Sequence, residues 1–79
     1  MITGIQIRIA RHALKWSAKK LADQTGLAVK TIQRIEAVDG ISNTTIRTMQ
    51  LIQHTLEQAD IEFIGTPEDR PGIRINVKQ

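Results

Sequence analysis

Cysteine is absent from the 79 residues, which excludes disulfide bridges, thiolate zinc sites and cysteine nucleophiles together and fits a reducing compartment. No apolar run approaches the roughly 20 residues of a membrane span, and the N-terminus has no signal-peptide hydrophobic region. The expected location is therefore the cytoplasm. His12 and His54 fall on different expected helices, with no second His or Cys at i+4 and no carboxylate at ligand spacing. They read as surface or satisfied histidines, and no metal site is expected. A phosphate-cradling Gly-rich loop is missing too, as is any Ser-His-Asp set beyond what a random chain would offer. No catalytic residue, cofactor or small-molecule effector is expected.

Size points the same way. A domain of this length buries only about 60% of the surface its unfolded chain exposes, so few side chains remain to support a deep catalytic pocket. The 41% apolar content suits one small core, and the expectation is a binding domain rather than an enzyme.

What is present is an uneven charge. Residues 1–40 hold seven bases (Arg8, Arg11, Lys15, Lys19, Lys20, Lys30, Arg34) against three acids, a balance of +4, whereas the remainder holds four bases against five acids. A polyanion would meet the first half, where phosphate contacts supply most of the affinity.

Four helices are legible. Thr3-Gly4-Ile5-Gln6 has the form of a capping box, with Ile2 and Ile7 at staple positions, and starts a helix over about 4–13. Ser17 is a good N-cap for a second helix, flanked by Trp16 and Leu21 as a staple, and Gly26 ends it. Trp16 reads as a core residue rather than a ligand-stacking one. A third helix starts near Val29, with Leu27 and Ile32 as a possible staple and Ile32, Ile35 and Val38 pointing inward, but its cap, Ala28, is poor. Asp39-Gly40 breaks the chain. From about Thr44 to Ala59, Ile46, Met49, Ile52 and Leu56 follow one helical face. After Asp60, alternation in Ile61-Glu62-Phe63-Ile64 and Ile73-Arg74-Ile75-Asn76-Val77, around a Pro/Gly-rich connection, reads as two short strands. Two strands alone are marginal in water. This tail either lies on the helices or pairs with another subunit, in which case Ile61, Phe63, Ile73 and Ile75 are the dimerisation residues.

From Ser17 to Glu36 the chain reads as helix, tight turn, helix. Ala22 is small where two helices approach, Gly26 can take the positive φ of the turn, and Leu27, Ile32 and Ile35 fill the angle between the helices. With Leu21-Ala22, Gly26-Leu27 and Thr31-Ile32-Gln33-Arg34-Ile35-Glu36, the segment resembles the Xre family of phage-repressor and Cro-like DNA-binding domains. The resemblance spans residues 5 to about 59. The tail, with Asp60-Ile61-Glu62-Phe63 and Gly72-Ile73-Arg74-Ile75, is similar to that of a subgroup of short Xre-type regulators. The implied fold is mainly α, a four-to-five-helix repressor-like helix-turn-helix domain over 1–60 with a short C-terminal two-stranded β tail over 61–79.

The resemblance implies that the third helix enters the major groove of double-stranded DNA, with Ala28, Val29, Lys30, Gln33 and Arg34 towards base edges. Lys30 can donate to guanine, Gln33 can pair with adenine, Ala28 and Val29 can meet thymine methyls, and Arg34 can reach a base or a phosphate. Ser17, Lys19, Asn43 and Thr44 are the phosphate candidates, with Lys15 a further one. The family pattern also implies a structural ion pair between Arg11 and Glu36. Two positions depart from it: Ala18 replaces a common Gln, and Ala28 replaces a Ser or Thr cap. The implied function is a transcriptional regulator acting as a homodimer on a palindromic operator, joined through the tail or the fourth helix and located with the nucleoid. The alternative is an antitoxin-like or anti-repressor module that binds a protein partner through the β tail.

Overall fold

The computed structural model describes residues 2–41 and 43–76. Its first helix, α1 (Gly4–Ala13), starts at Thr3. The Gln6 amide donates to Thr3 Oγ1 at 3.2 Å, and the Thr3 amide donates to Gln6 Oε1 at 2.8 Å. This reciprocal cap satisfies two donors that a helix start leaves without partners. The amides of Gly4 and Ile5 donate to the carbonyls of Gly40 and Asp39 at 2.9 and 3.3 Å. Helix α1 thereby starts against the loop that follows the third helix. A Cβ at position 4 would run into the carbonyl oxygens of Val38 and Ile35, so only glycine permits this approach.

Helix α1 ends with Lys15 at φ +59°, its amide donating to His12 O and that of Trp16 to Arg11 O, at 3.0 and 2.9 Å. This pair of bonds is the Schellman arrangement, formed here around a lysine rather than a glycine. Helices α2 (Ala18–Thr25), α3 (Val29–Glu36) and α4 (Ile46–Gln58) follow. Their apolar stripes meet those of α1 in one core built on Ile7, Leu21, Ile32, Ile35, Ile52 and Leu56, each no more than 1% exposed.

Two helical positions differ from expectation. Val38 is exposed because α3 stops at Glu36, two residues earlier, and Ile46 is 60% exposed because it opens α4 and overhangs the core. Helix α4 starts two residues after Thr44, with Thr45 as its N-cap.

The tail forms an antiparallel hairpin of β1 (Ile61–Thr66) and β2 (Asp69–Ile75). Strand β2 starts at Asp69, well before Ile73. An irregularity in the register between Ile64 and Thr66, with Gly65 at φ +77° and Arg70 at φ +50°, lets the Pro/Gly-rich stretch pair rather than loop out. Val77 lies outside the described residues. The register pairs Ile61 with Ile75 and Phe63 with Ile73. Cross-strand partners share a face, and that face covers the helices of the same chain: Ile61 belongs to the core, and Phe63 and Ile73 pack against it. Ile61 is thus taken up by the core, while Phe63 and Ile73 are half-buried on it. Ile75 is the most open of the four, at 50% exposed. The opposite face carries the Glu62–Arg74 pair at 3.3 Å.

Gln6 joins the two parts. Its Nε2 donates to Ile64 O at 3.0 Å and to Gly72 O at 2.8 Å, one carbonyl from each strand. The residue that closes the cap of α1 also pins the hairpin.

Candidate nucleic-acid interface

The turn between α2 and α3 is built from local chemistry. Ser17 Oγ accepts from the Lys20 amide at 3.0 Å and starts α2. At the other end, Gly26 takes φ +76°, and its amide and that of Leu27 both donate to Ala22 O, at 2.8 and 3.1 Å. Glycine adopts this left-handed conformation without steric cost. The buried Thr25 hydroxyl donates to Leu21 O at 2.9 Å and accepts from the Leu27 amide at 3.3 Å, which fastens the turn from inside. Leu27 then packs on the core.

Helix α3 is held by its inner side. Ile32 and Ile35 are buried, and Arg11 Nε and Nη2 donate to Glu36 Oε2 and Oε1, both at 2.8 Å. The structure thus brings Arg11 and Glu36 into a two-pronged pair whose side chains are only 13% and 8% exposed. The hydrogen bond to Glu36 raises the Arg11 guanidinium above its ordinary range; burial opposes this and the Glu36 charge assists it. Arg11 Nη1 also donates to Trp16 O at 3.0 Å, tying the pair to the start of α2. Arg8 was not singled out in the sequence. Its Nη1 donates to the Glu36 carbonyl at 2.6 Å and its Nη2 to Asp39 Oδ1 at 3.1 Å. Two arginines of α1 therefore grip the last turn of α3, where a cation also complements the helix dipole.

The outer side of α3 is different. Ala28, Lys30, Gln33 and Arg34 are exposed, whereas Val29 is half-buried against the core. Val29 thus has one side committed to packing and one side open. Ala28 is the N-cap and forms no side-chain cap bond. Arg34 lines an open groove of about 620 Å³ with Val38, Asn43, Thr44 and Thr45. The groove joins the C-terminal half of α3 to the start of α4, and thereby unites Arg34, Asn43 and Thr44. Thr45 is an addition: its Oγ1 accepts from the Thr48 amide at 3.2 Å. The side-by-side Thr44 and Thr45 carried a cap signal in the sequence, but nothing there selected the second.

Ser17 and Lys19 sit apart from that groove, at the start of α2. Lys19 Nζ contacts Asp23 at 3.3 Å in an exposed i,i+4 pair. Such pairs contribute about 0.3–0.5 kcal/mol, so a phosphate can displace the carboxylate.

The cations fall into two groups. Arg8, Arg11, Lys19, Arg70 and Arg74 sit on carboxylates, and Lys20 lies over the Trp16 ring at 5.9 Å. Among the described residues, Lys30 and Arg34 on α3, Lys15 before α2 and Arg47 in the first turn of α4 have no acidic partner. No group of three or more His, Cys, Asp or Glu could hold a metal among the described residues, and no helix there is long and apolar enough to cross a membrane. The chain matches no protein-family model, no curated protein and no solved structure.

Proposed function

We propose that this chain is a sequence-specific DNA-binding regulator of the Xre type that lays α3 in the major groove and acts as a homodimer. One observation carries the reading. Helix α3 is clamped from behind by Ile32, Ile35 and the Arg11–Glu36 pair, while Lys30, Gln33 and Arg34 face outward without a partner among the described residues. A solvated helix face needs no such clamp, whereas base readout requires side chains on a rigid support.

In this reading Lys30 donates to guanine, Gln33 pairs with adenine and Ala28 meets a thymine methyl. Arg34, Asn43, Thr44 and Thr45 share the groove beside α4, a suitable seat for a backbone phosphate because a guanidinium and polar side chains at the start of a helix line it together. Ser17 and Lys19 would take a second phosphate at the start of α2. Two subunits place their α3 helices about 34 Å apart, one turn of duplex. The cellular location that accompanies this function is the nucleoid.

Selection from a random duplex pool with the full chain, read by sequencing, tests the reading. A two-fold symmetric enriched site is expected. A pool that stays random at physiological salt overturns DNA recognition and turns attention to a protein partner.

A further inference from the structure

Between α3 and α4 the chain passes through Asp39-Gly40, the one place among the 79 residues where an aspartate or asparagine precedes glycine. Both residues are exposed and outside any helix or strand. The Asp39 side chain is 80% exposed, and its contact with Arg8 Nη2 at 3.1 Å is open to water, where such a pair holds a side chain only weakly. The Gly40 amide donates to no acceptor among the described residues, although its carbonyl accepts from the Gly4 amide. Shape does not demand glycine here: its φ is not positive, and a Cβ would meet nothing within 4 Å.

We propose that Asp39 is a site of spontaneous isomerisation to isoaspartate, and that this modification unlatches the start of α1. The reaction needs a carboxyl free to turn onto the following amide nitrogen, an amide not held by an acceptor, and no side chain on the following residue to hinder the approach. Regular secondary structure denies the first two, and only glycine supplies the third. Asp39-Gly40 meets all three. The Gly40 nitrogen bonds to Asp39 Cγ, and one carboxyl oxygen leaves as water with the amide proton and a proton from solvent. The product is a cyclic succinimide. Water then adds to the main-chain carbonyl carbon of Asp39 and breaks its bond to the Gly40 nitrogen. The peptide now runs through Cγ, and the former main-chain carbonyl has become a carboxylate. The other candidates are blocked: Asp23 lies in α2 and Asp69 in β2, while Asn43, Asp60 and Asn76 precede the β-branched Thr44, Ile61 and Val77.

The carbonyls affected are those on which α1 starts. Asp39 O accepts from the Ile5 amide at 3.3 Å and Gly40 O from the Gly4 amide at 2.9 Å. Isomerisation adds a methylene to the main chain at this point and removes the side-chain carboxylate from Arg8. Helix α1 then loses its seat against the loop. The chemistry is independent of whether α3 reads DNA. Its product is a substrate for the class of enzyme that transfers a methyl group from S-adenosylmethionine to isoaspartyl carboxylates.

The test is to age the full chain in warm neutral buffer, folded and in urea, and to label it with tritiated S-adenosylmethionine and an isoaspartyl methyltransferase. After trypsin, label should appear on the 35–47 peptide of the folded chain nearly as fast as on that of the unfolded chain, and electron-transfer fragmentation should place the isoaspartate at 39. Asp39→Glu, whose longer side chain cyclises far more slowly, should take up no label. Gly40→Ala should fold, since there is room for its Cβ, and should label several-fold more slowly. In the aged fraction, amide hydrogen exchange at Gly4 and Ile5 should accelerate ahead of that in α2. A folded chain that gains no label at 39 while the unfolded chain does overturns the proposal, as does a Gly40→Ala chain that labels as fast as wild type. Unchanged exchange at Gly4 and Ile5 in the labelled fraction overturns the unlatching.

Discussion

Replacing Arg11 with alanine strands the Glu36 carboxylate, 8% exposed, without its guanidinium. Removing one partner of a buried pair typically costs about 3–5 kcal/mol, far above the few tenths expected of a surface pair such as Lys19–Asp23. Thermal unfolding of Arg11→Ala should show a loss in that range, and Arg11→Lys should recover only part of it because an ammonium cannot span both oxygens. A loss below about 1 kcal/mol would place this pair among solvent-screened ones. The opposite sign is expected at Ala28. A serine there can accept from an amide in the first turn of α3, where no side-chain cap bond exists, and should add about 1 kcal/mol. In a domain this small the melting temperature would rise by roughly 4–8 °C; no rise would mean that the amides are already satisfied by water. Arg8 shows what residue-level reading misses. It differs from other basic residues only by lying opposite the end of α3, a relation that exists once the chain is folded.

At the scale of elements, Gln6 and Gly4 fix how α1 meets its neighbours. Gln6→Glu keeps the oxygen that caps Thr3 but sets a carboxylate against the carbonyls that now accept from Nε2, those of Ile64 and Gly72. Amide hydrogen exchange should then accelerate in β1 and β2 before it does in α2 and α3, with a stability loss of at least about 1–3 kcal/mol. Uniform acceleration would show that the hairpin has no separate anchor. Gly4→Ala should also destabilise, since its Cβ meets the backbone carbonyls of Val38 and Ile35 and neither can rotate away. The capping box, the Ser17 cap and the Gly26 turn were legible because each depends on neighbours in sequence. The extent of β2 was not, because Pro71 and Gly72 have loop composition and pair only with the help of the irregularity at Gly65. Ile46 fits the period of the buried stripe, yet only tertiary packing decides where a stripe runs off its core.

For the whole molecule, the separation of paired from unpaired cations predicts how the proposed binding to DNA should respond to salt. A dimer that neutralises six or more phosphates should lose ~10³-fold in affinity between about 50 and 200 mM salt. Arg34→Ala, in the groove with Asn43 and Thr44, should flatten the slope of log affinity against log salt by about one and leave the selected sequence unchanged. Lys30→Ala should relax selection at one position, worth ~1–3 kcal/mol. If Arg34→Ala alters the sequence instead, the two roles are exchanged. The charge asymmetry between the halves of the chain was visible in composition, but its division into engaged and available cations required the carboxylates to be placed. One consequence concerns synthesis on the ribosome. Gln6 is made 58 and 66 residues before its amide partners, Ile64 O and Gly72 O. A nascent chain thus lacks the Ile61 that closes the core, and the acceptors for Gln6, until residue 72 has been added. The helical core then closes only after the hairpin has been made, and a chain truncated between residues 61 and 72 should be one that proteases clear rather than a shorter folded domain.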